Sequence, residues 1–411
     1  IIMLRFSSSP TGNMNISDLR VALCNYIVSK QRDENLIVRI EDIDKEKNIE
    51  AKDKEILDIL NLFSIEYSQI IYQSECVRFH TAMALQLMHE KKAFSCFCSP
   101  GWIENKKEEA KANKKAYKYD DACANLPAEL VIDNTNPFTI RIKKPIDKPE
   151  GVDSFMIMRH DKTPTYNFAC AVDDMLNDIS IVIQGEDHLE DTPKQEHIRA
   201  SLKYDKKVDY VYLPNILNAD IPSVRGLLEE GFVPDAISNY LISLGNKPPK
   251  EIFTISEAIE WFNLEDISTS PTRFDIDVLK QMNKEYLKML DAKELSRYVG
   301  FADEEIGHLA KVYLEEVSTT KELRAKIKAI FGLKKNPEKY MKQSVLITKA
   351  IQSAPYFDAY TDFKNYLIKE SGLEEKDVSE LIRHHLTGEE NGPDIAEIYK
   401  HIKNYIGEIV K

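Results

Sequence analysis

The sequence lacks any apolar run long enough to cross a bilayer, which takes about 20 residues in a helix. Its apolar segments reach only the length of a strand, so we expect no membrane span. Cysteine is sparse, with six among 411 residues. No secretory pattern stands at the start of the sequence. We therefore expect reduced thiols in a cytoplasm.

Positive charge is also in deficit, because the net charge is −13. A deficit of this size argues against nucleic acid as a partner, since phosphate contacts need positive charge. It does not exclude a local patch, and residues 321–342 carry eight Lys or Arg against two Glu. Composition alone indicates a solvated helix face there.

A chain of this length exceeds one compact core, so two to four domains are expected. Three strand-like apolar runs, 3–6, 36–40 and 179–183, are each followed by polar residues. An open parallel sheet binds ligands at the carboxyl ends of its strands. The pattern predicts one crevice that contains Arg5, Glu41 and residues 184–188. From about residue 231 the spacing becomes helical.

Residues 5–20 read RFSSSPTGNMNISDLR, and four further motifs follow along the chain at residues 39–44, 164–174, 184–188 and 386–393. All five resemble motifs of the class I glutamyl-tRNA synthetases. Residues 5–20 are similar to the first ATP signature of that family, R-x-A-P-S-P-T-G-x-x-H-I-G-x-L-R. Residues 39–44 (RIEDID) and 184–188 (QGEDH) resemble R-I-E-D-T-D and R-G-E-D-H. The segment 164–174 is similar to the substrate-pocket segment, and 386–393 to the anticodon-binding end. Their common order makes the resemblance specific.

The resemblance implies an α/β Rossmann-like catalytic domain with an α+β insertion, followed by an all-α anticodon-binding region. The expected domains are the catalytic first half, the acceptor-binding insertion, the catalytic second half, the stem-contact region and the anticodon-binding domain. They span residues 1–91, 92–163, 164–230, 231–300 and 301–411.

The implied activity is glutamate–tRNA ligation. Glutamate would react with ATP and magnesium to give an adenylate, and the acyl group would pass to tRNA(Glu), or to tRNA(Gln) also or instead. A cytoplasmic monomer is expected. The alternatives are a catalytically impaired paralogue that binds tRNA, a short relative that glutamylates a modified base, and a glutaminyl enzyme. The long helical C-terminal part disfavours the last two.

Site residues follow from the resemblance, position by position. The expected catalytic residues are Asn15, Ser17 and Gln184. The substrate pocket would contain Arg5 for the side-chain carboxylate, Glu41 for the ammonium, and also Ser7, Ser9, Tyr166, Cys170 and Gln184. The ATP site would contain Ser8, Ser9, Pro10, Thr11, Gly12, Asn15, Ser17, Asp187, His188 and Ile216. The basic segment would contact tRNA through Lys321, Arg324, Lys334 and Lys335.

Four departures from the family pattern stand out. Asn15 replaces His, Ser17 replaces Gly, and Gln184 replaces Arg. The fourth is the second ATP signature, a Lys-Met-Ser-Lys-type loop, which is missing between Asn218 and Ala219; a further shortening occurs near residues 148–152. Two explanations stay open: a paralogue that has lost catalysis, or a sequence that differs here from the natural polypeptide. The near-isosteric replacements favour the second.

Three cysteines form a separate candidate site. Cys96 and Cys98 are spaced as Cys-x-Cys, and Cys123 follows. Thiolates are zinc ligands, and zinc takes four of them or their equivalents. Some members of the family and a related tRNA-modifying family bind zinc at this place, which implies Tyr119 as fourth ligand, with Asn125 where other members have His. Any zinc there is expected to be structural.

Overall fold

A computed structural model describes residues 3–146, 151–217, 222–335 and 337–410 of the chain. Within these ranges, no helix combines the length and the apolarity that crossing a membrane requires. The chain divides into two compact units. The first contains Ile1–Ile221, Leu244–Pro249 and Ser256–Arg273, and the second contains Pro222–Ser243, Lys250–Ile255 and Phe274–Lys411. The predicted loss at Asn218–Ala219 and most of the shortening near 148–152 lie outside the described residues.

The first unit begins with alternating strands and helices. They are β1 (Met3–Ser8), α1 (Ile16–Arg32), β2 (Asn35–Ile40), α2 (Lys52–Leu62), β3 (Gln69–Tyr72) and α3 (Val77–His89). The three strands pair in parallel, in the order β1–β2–β3. Five successive residues of β2 are buried, as expected of a strand that is covered on both faces.

An antiparallel insertion follows, as the change of pattern after residue 91 predicts. Its elements are β4 (Ala93–Cys96), α4 (Pro100–Ala112), α5 (Ala128–Ile132), β5 (Thr139–Ile142) and β6 (Met156–Met158). The strands pair in the order β4–β5–β6, with an irregularity between Ile140 and Arg141. Ser99 caps α4 through its side chain, and Pro100 occupies the first turn, where its missing N–H costs nothing.

The α/β pattern then resumes. The elements are α6 (Tyr166–Leu176), β7 (Ile181–Gly185), α7 (Thr192–Ser201), β8 (Asp209–Leu213) and a short β9 (Ile216–Leu217). Strands β7 and β8 are parallel, and a parallel bridge from Met3 to Ile179 connects them to β1. The carboxyl ends of β1, β2 and β7 therefore lie at one edge. Strand β7 continues through Gln184 and Gly185, two residues beyond its predicted end.

Among the described residues after position 221, the elements are helical apart from β10, as the sequence predicts from about residue 231 onward. Its elements are α8 (Val224–Glu229), α9 (Pro234–Ser243), α10 (Ile255–Trp261), β10 (Thr272–Arg273), α11 (Ile276–Met289), α12 (Ala292–Tyr298), α13 (Glu304–Tyr313), α14 (Thr320–Phe331), α15 (Met341–Gln352), α16 (Tyr360–Ser371), α17 (Glu375–Thr387), α18 (Ile395–Ile402) and α19 (Ile406–Ile409).

The second unit has its own core, which includes Leu309, Tyr313 and Leu323. Helices α12 and α13 approach closely at Gly307, where an added Cβ would lie 1.6 Å from the carbonyl oxygen of Ala292. Only glycine fits at this contact.

Candidate active site

A cavity of about 290 Å³ lies in the first unit at the carboxyl ends of β1, β2 and β7. The predicted crevice is therefore present, although Glu186 is absent from its lining. Ten of the residues predicted to bind substrate or ATP line it. They are Arg5, Ser7, Asn15, Ser17, Glu41, Tyr166, Gln184, Asp187, His188 and Ile216.

Six other predicted residues do not belong to this lining: Ser8, Ser9, Pro10, Thr11, Gly12 and Cys170. The carbonyl of Ser8 accepts the N–H of Glu41 at 2.9 Å, and the carbonyl of Pro10 accepts that of Ile49 at 2.9 Å. The first contact fastens the last residue of β1, and the second fastens the loop that follows it. Cys170 is buried and donates to Glu41 Oε1 at 3.4 Å. Cys170 therefore supports the carboxylate of Glu41, although it does not line the cavity itself.

Two arginines and two carboxylates form an ion-pair network beside the cavity. Asp174 Oδ1 accepts Arg5 Nε at 3.0 Å, and Asp174 Oδ2 accepts Arg5 Nη2 at 3.3 Å. Asp174 Oδ1 also accepts Arg39 Nη1. Arg39 in turn donates from Nη2 to Glu41 Oε1 at 3.1 Å. The two arginines and Asp174 are at most 4% exposed.

The electrostatics keep this network ionised. Burial alone would raise the pKa of Asp174, but the positive charges of Arg5 and Arg39 outweigh the effect of burial and lower that pKa to about 2. Burial alone would lower the pKa of Arg5, but Asp174 outweighs it and the pKa is raised. Both charges are therefore present at neutral pH.

Helix α1 points its first turn at the cavity, since Asn15, Ser17 and Asp18 all line it. Asn15 Oδ1 accepts the N–H of Asp18 at 2.9 Å, and the Asp18 carboxylate accepts the N–H of Asn15 at 3.3 Å. This reciprocal capping box fixes the start of the helix. The amide of Asn15 thus caps the helix and supplies no cation, while the helix N-terminus favours an anion.

Among the residues that the structure describes, two polar atoms in the cavity lining are buried without a partner: Gln184 Nε2 and Ser7 Oγ. Gln184 is only 7% exposed. An amide N–H that is buried without an acceptor costs roughly 1–3 kcal/mol. A ligand that brings acceptor oxygens to these two atoms would remove that cost. The sequence predicted both residues as substrate contacts, but it gave no indication that these two atoms lack partners among the described residues.

A second polar cluster in the cavity lining centres on His188. Its Nδ1 lies 3.3 Å from the hydroxyl of Tyr166 and 3.2 Å from a carboxylate oxygen of Asp191. Its ring stacks on Tyr166 with the ring centres 5.9 Å apart. These contacts fix the orientation of both rings in the cavity.

Sequence reasoning gave no role to Arg39, Asp173 or Asp174, although all three lie within matched motifs. Asp173 is 2% exposed. Its carboxylate contacts His80 Nε2 at 2.7 Å and accepts Gln73 Nε2 at 2.9 Å. Neighbouring acidic residues on one amphipathic helix were the available signal, since a buried carboxylate requires partners.

The predicted metal-site residues come together in the insertion. The sulfurs of Cys96, Cys98 and Cys123 all lie within 4.8 Å of one another. The Tyr119 hydroxyl is 3.4 Å from Cys96 Sγ and 3.5 Å from Cys98 Sγ. Cys98 and Cys123 are separated by 3.7 Å between sulfurs. Tetrahedral zinc with bonds of about 2.3 Å separates its sulfurs by about 3.8 Å, so the donors fit that ion.

Three of the four predicted tRNA contacts have partners within the second unit. Lys321 pairs with Glu230 at 2.7 Å, and Arg324 donates to the carbonyl of Tyr298 at 2.9 Å. Lys334 Nζ donates to the carbonyls of Ile330, Gly332 and Ile409. Burial lowers its pKa to about 8. Lys335 is exposed.

Comparison with known proteins identifies the class. Residues 1–281 match the family model for the catalytic domain of class I tRNA synthetases (E and Q). A solved glutamate tRNA ligase from Elizabethkingia meningosepticum CCUG26117 has the same fold. It superposes with a TM-score of 0.81 at 23% identity and covers 100% of this chain and 98% of that one.

Curated relatives specify the family further. A protein named glutamate–tRNA ligase 2 from Sulfurimonas denitrificans is 62% identical, with all of both chains covered. Glutamate–tRNA ligase 1 from Nitratiruptor sp. is 46% identical, again with full coverage of both. The chain belongs to the glutamate–tRNA ligase family of class I synthetases.

The first of these alignments also bears on the departures. It extends over 432 positions for the 411 residues of this chain. At least 21 aligned positions therefore have no residue here, which agrees with the internal shortenings that the sequence indicates.

Proposed function

We propose that the chain is a glutamate–tRNA ligase, which forms glutamyl-adenylate from L-glutamate and ATP and transfers the acyl group to the 3′ end of tRNA(Glu). The observation that carries this proposal is the set of groups around one cavity. Arg5 supplies positive charge, Gln184 and Ser7 supply unpaired polar atoms, and Glu41 supplies negative charge. Glutamate brings a carboxylate and an ammonium to match them.

The chemistry follows from positioning. The guanidinium of Arg5 would hold the side-chain carboxylate, because its geometry suits a carboxylate fork. Glu41 would hold the ammonium. ATP, with magnesium on its phosphates, would lie toward the start of α1, where the Asn15 cap leaves helix N–H groups directed at an anion. No enzyme nucleophile is needed, since the glutamate carboxylate itself attacks the α-phosphate.

Charging of purified tRNA with radiolabelled amino acid tests the proposal. With ATP and magnesium, glutamate should be attached to tRNA(Glu), whereas glutamine and aspartate should not. A parallel reaction with tRNA(Gln) determines whether this tRNA is charged also or instead. Charging with glutamine in preference to glutamate would contradict the proposal.

The departures leave a second candidate open, a catalytically impaired paralogue that binds tRNA, although the near-isosteric replacements favour a sequence that differs here from the natural polypeptide. Asn15 is occupied as a helix cap, and aligned positions are missing. This candidate predicts tRNA binding without charging of either tRNA. Peptide mapping by mass spectrometry separates the causes, because it shows whether the natural polypeptide has Asn15, Gln184 and a direct Asn218–Ala219 bond.

The basic segment is the proposed tRNA contact of the C-terminal region. Lys335 is exposed, and the exposed Lys321–Glu230 pair is worth at most about 1 kcal/mol, so both lysines are free to meet phosphates. Lys334 is held by three carbonyls. Lys335→Glu should therefore weaken tRNA binding and reduce its salt dependence. Lys334→Glu should instead lower the melting temperature, and an equal affinity loss in both without destabilisation would contradict this division.

The cysteine cluster is proposed to hold a structural zinc ion through Cys96, Cys98, Cys123 and Tyr119. Such an ion would cross-link β4 to the loop that follows α4. Protein purified with zinc should contain one equivalent by elemental analysis, and Cys123→Ser should contain much less. Equal zinc contents would contradict the site.

The remaining expectations stand as proposals. The enzyme is proposed to act in the cytoplasm as a monomer. Residues 92–163 are proposed to bind the acceptor end of tRNA, and residues 301–411 the anticodon.

A further inference from the structure

The single carboxylate of Asp174 contacts both arginines of the active-site network. It binds Arg5 from the side, through Nε and Nη2. An arginine has five N–H donors, and this side-on contact leaves the two N–H groups of Nη1 and one of Nη2. Among the described residues, the structure gives Nη1 of Arg5 no partner. The end of the guanidinium is therefore available in the cavity that Arg5 lines.

The same carboxylate is connected to Glu41 through Arg39. Asp174 binds Nη1 of Arg39, while Nε and Nη2 of Arg39 both bind Glu41 Oε1, at 3.4 and 3.1 Å. Arg39 is 1% exposed and is therefore fixed between two carboxylates. Asp174 thus contacts Arg5 directly and Glu41 through Arg39, and these are the cation and the anion predicted to bind glutamate.

We propose that Asp174 is a positioning residue for glutamate, which orients Arg5 directly and Glu41 through Arg39. This inference rests on the proposed function. Without the Asp174 charge, the buried guanidinium groups of Arg5 and Arg39 would lose the carboxylate that they share, and only Arg39 would keep its contact with Glu41. Arg39 would draw Glu41 away from the substrate ammonium, and Arg5 would lose its fixed orientation. The contacts proposed for ATP at the start of α1 involve neither Arg5 nor Glu41.

Asp174→Asn tests the proposal because it removes the charge and keeps the shape. The KM for glutamate should rise about 10- to 100-fold, as expected when charge-assisted contacts are misaligned. The KM for ATP should stay within about threefold of wild type. The positioning role is wrong if the KM values for glutamate and ATP change by the same factors in Asp174→Asn and in its control. It is also wrong if kcat alone changes, by the same factor in both variants.

The neighbouring Asp173 supplies the matched control. It belongs to the same helix, is equally buried, and binds His80 and Gln73 but neither arginine. Asp173→Asn should lower the melting temperature yet leave the KM for glutamate within about threefold. Arg39→Gln is the second test variant. It breaks the connection to Glu41 without removing Asp174, and it should also raise the KM for glutamate selectively.

A crystal structure of Asp174→Asn gives a result that does not depend on charging. A rotated Arg5 side chain supports the inference, and an Arg5 side chain in its present position overturns it. A wild-type enzyme that charges no tRNA with glutamate would refute the proposed function, whereas an active wild type with unchanged KM values in Asp174→Asn would refute only the role of Asp174.

Discussion

Replacing Gln184 by methionine should stabilise the protein and weaken glutamate binding at the same time. The amide nitrogen of Gln184 is buried without an acceptor in the part of the chain that the structure describes, at a cost of roughly 1–3 kcal/mol. Methionine has a similar volume and no donor to satisfy. We expect the free energy of unfolding to increase by about 1–2 kcal/mol, which raises the melting temperature of a unit of this size by about 2–8 °C.

The same change should raise the KM for glutamate. A hydrogen bond to a carboxylate contributes about 1.5–3 kcal/mol, which corresponds to a change of roughly 10- to 100-fold. Thermal denaturation and glutamate titrations in the charging assay measure the two effects separately.

Ser180→Ala is the matched control for this prediction. Its hydroxyl is also buried without a partner among the described residues, but Ser180 does not line the cavity. This variant should gain stability with an unchanged KM for glutamate. A Gln184→Met protein with a lower melting temperature and an unchanged KM would show that the amide has a partner within the protein, and the reasoning would be refuted.

Three further predictions concern the second unit. Gly307→Ala should destabilise it by more than about 3 kcal/mol in denaturant unfolding, because the added Cβ would overlap Ala292. Gly407→Ala is the control and should leave the stability unchanged, because nothing lies within 4 Å of its added Cβ. Burial, with help from nearby positive charge, lowers the pKa of His385 to about 4. Because the unfolded imidazole titrates near 6.5, stability should fall by up to about 3 kcal/mol between pH 6.5 and 4, and His385→Gln should remove that part of the pH dependence. Lys334→Met should lower the melting temperature, because it removes the donor to three carbonyls. An unchanged melting temperature would show that these hydrogen bonds do not stabilise the unit.

Much of the fold could be predicted from local pattern. Apolar runs that end in polar residues identified β1, β2 and β7, because strands buried on both faces read as continuous apolar segments. The crevice followed from topology, since carboxyl ends of parallel strands share an edge. The helical C-terminal part followed from its spacing. These features depend on residues that are close in sequence.

Partners distant in sequence could not be predicted in this way. Asp174 lies 169 residues from Arg5, and no local signal says which of two adjacent aspartates meets the arginines. Lys334 and Lys335 are both basic and adjacent, yet Lys334 is half-buried and donates to the carbonyl of Ile409, whereas Lys335 is exposed. The unpaired amide of Gln184 depends on the absence of an acceptor, which only the packed structure reveals.

A crystal structure of the protein with L-glutamate and ATP tests the proposed site most directly. We predict glutamate in the cavity, with its side-chain carboxylate on Arg5, Gln184 and Ser7 and its ammonium on Glu41. Glutamate bound with these ends reversed, or bound outside this cavity, would contradict it.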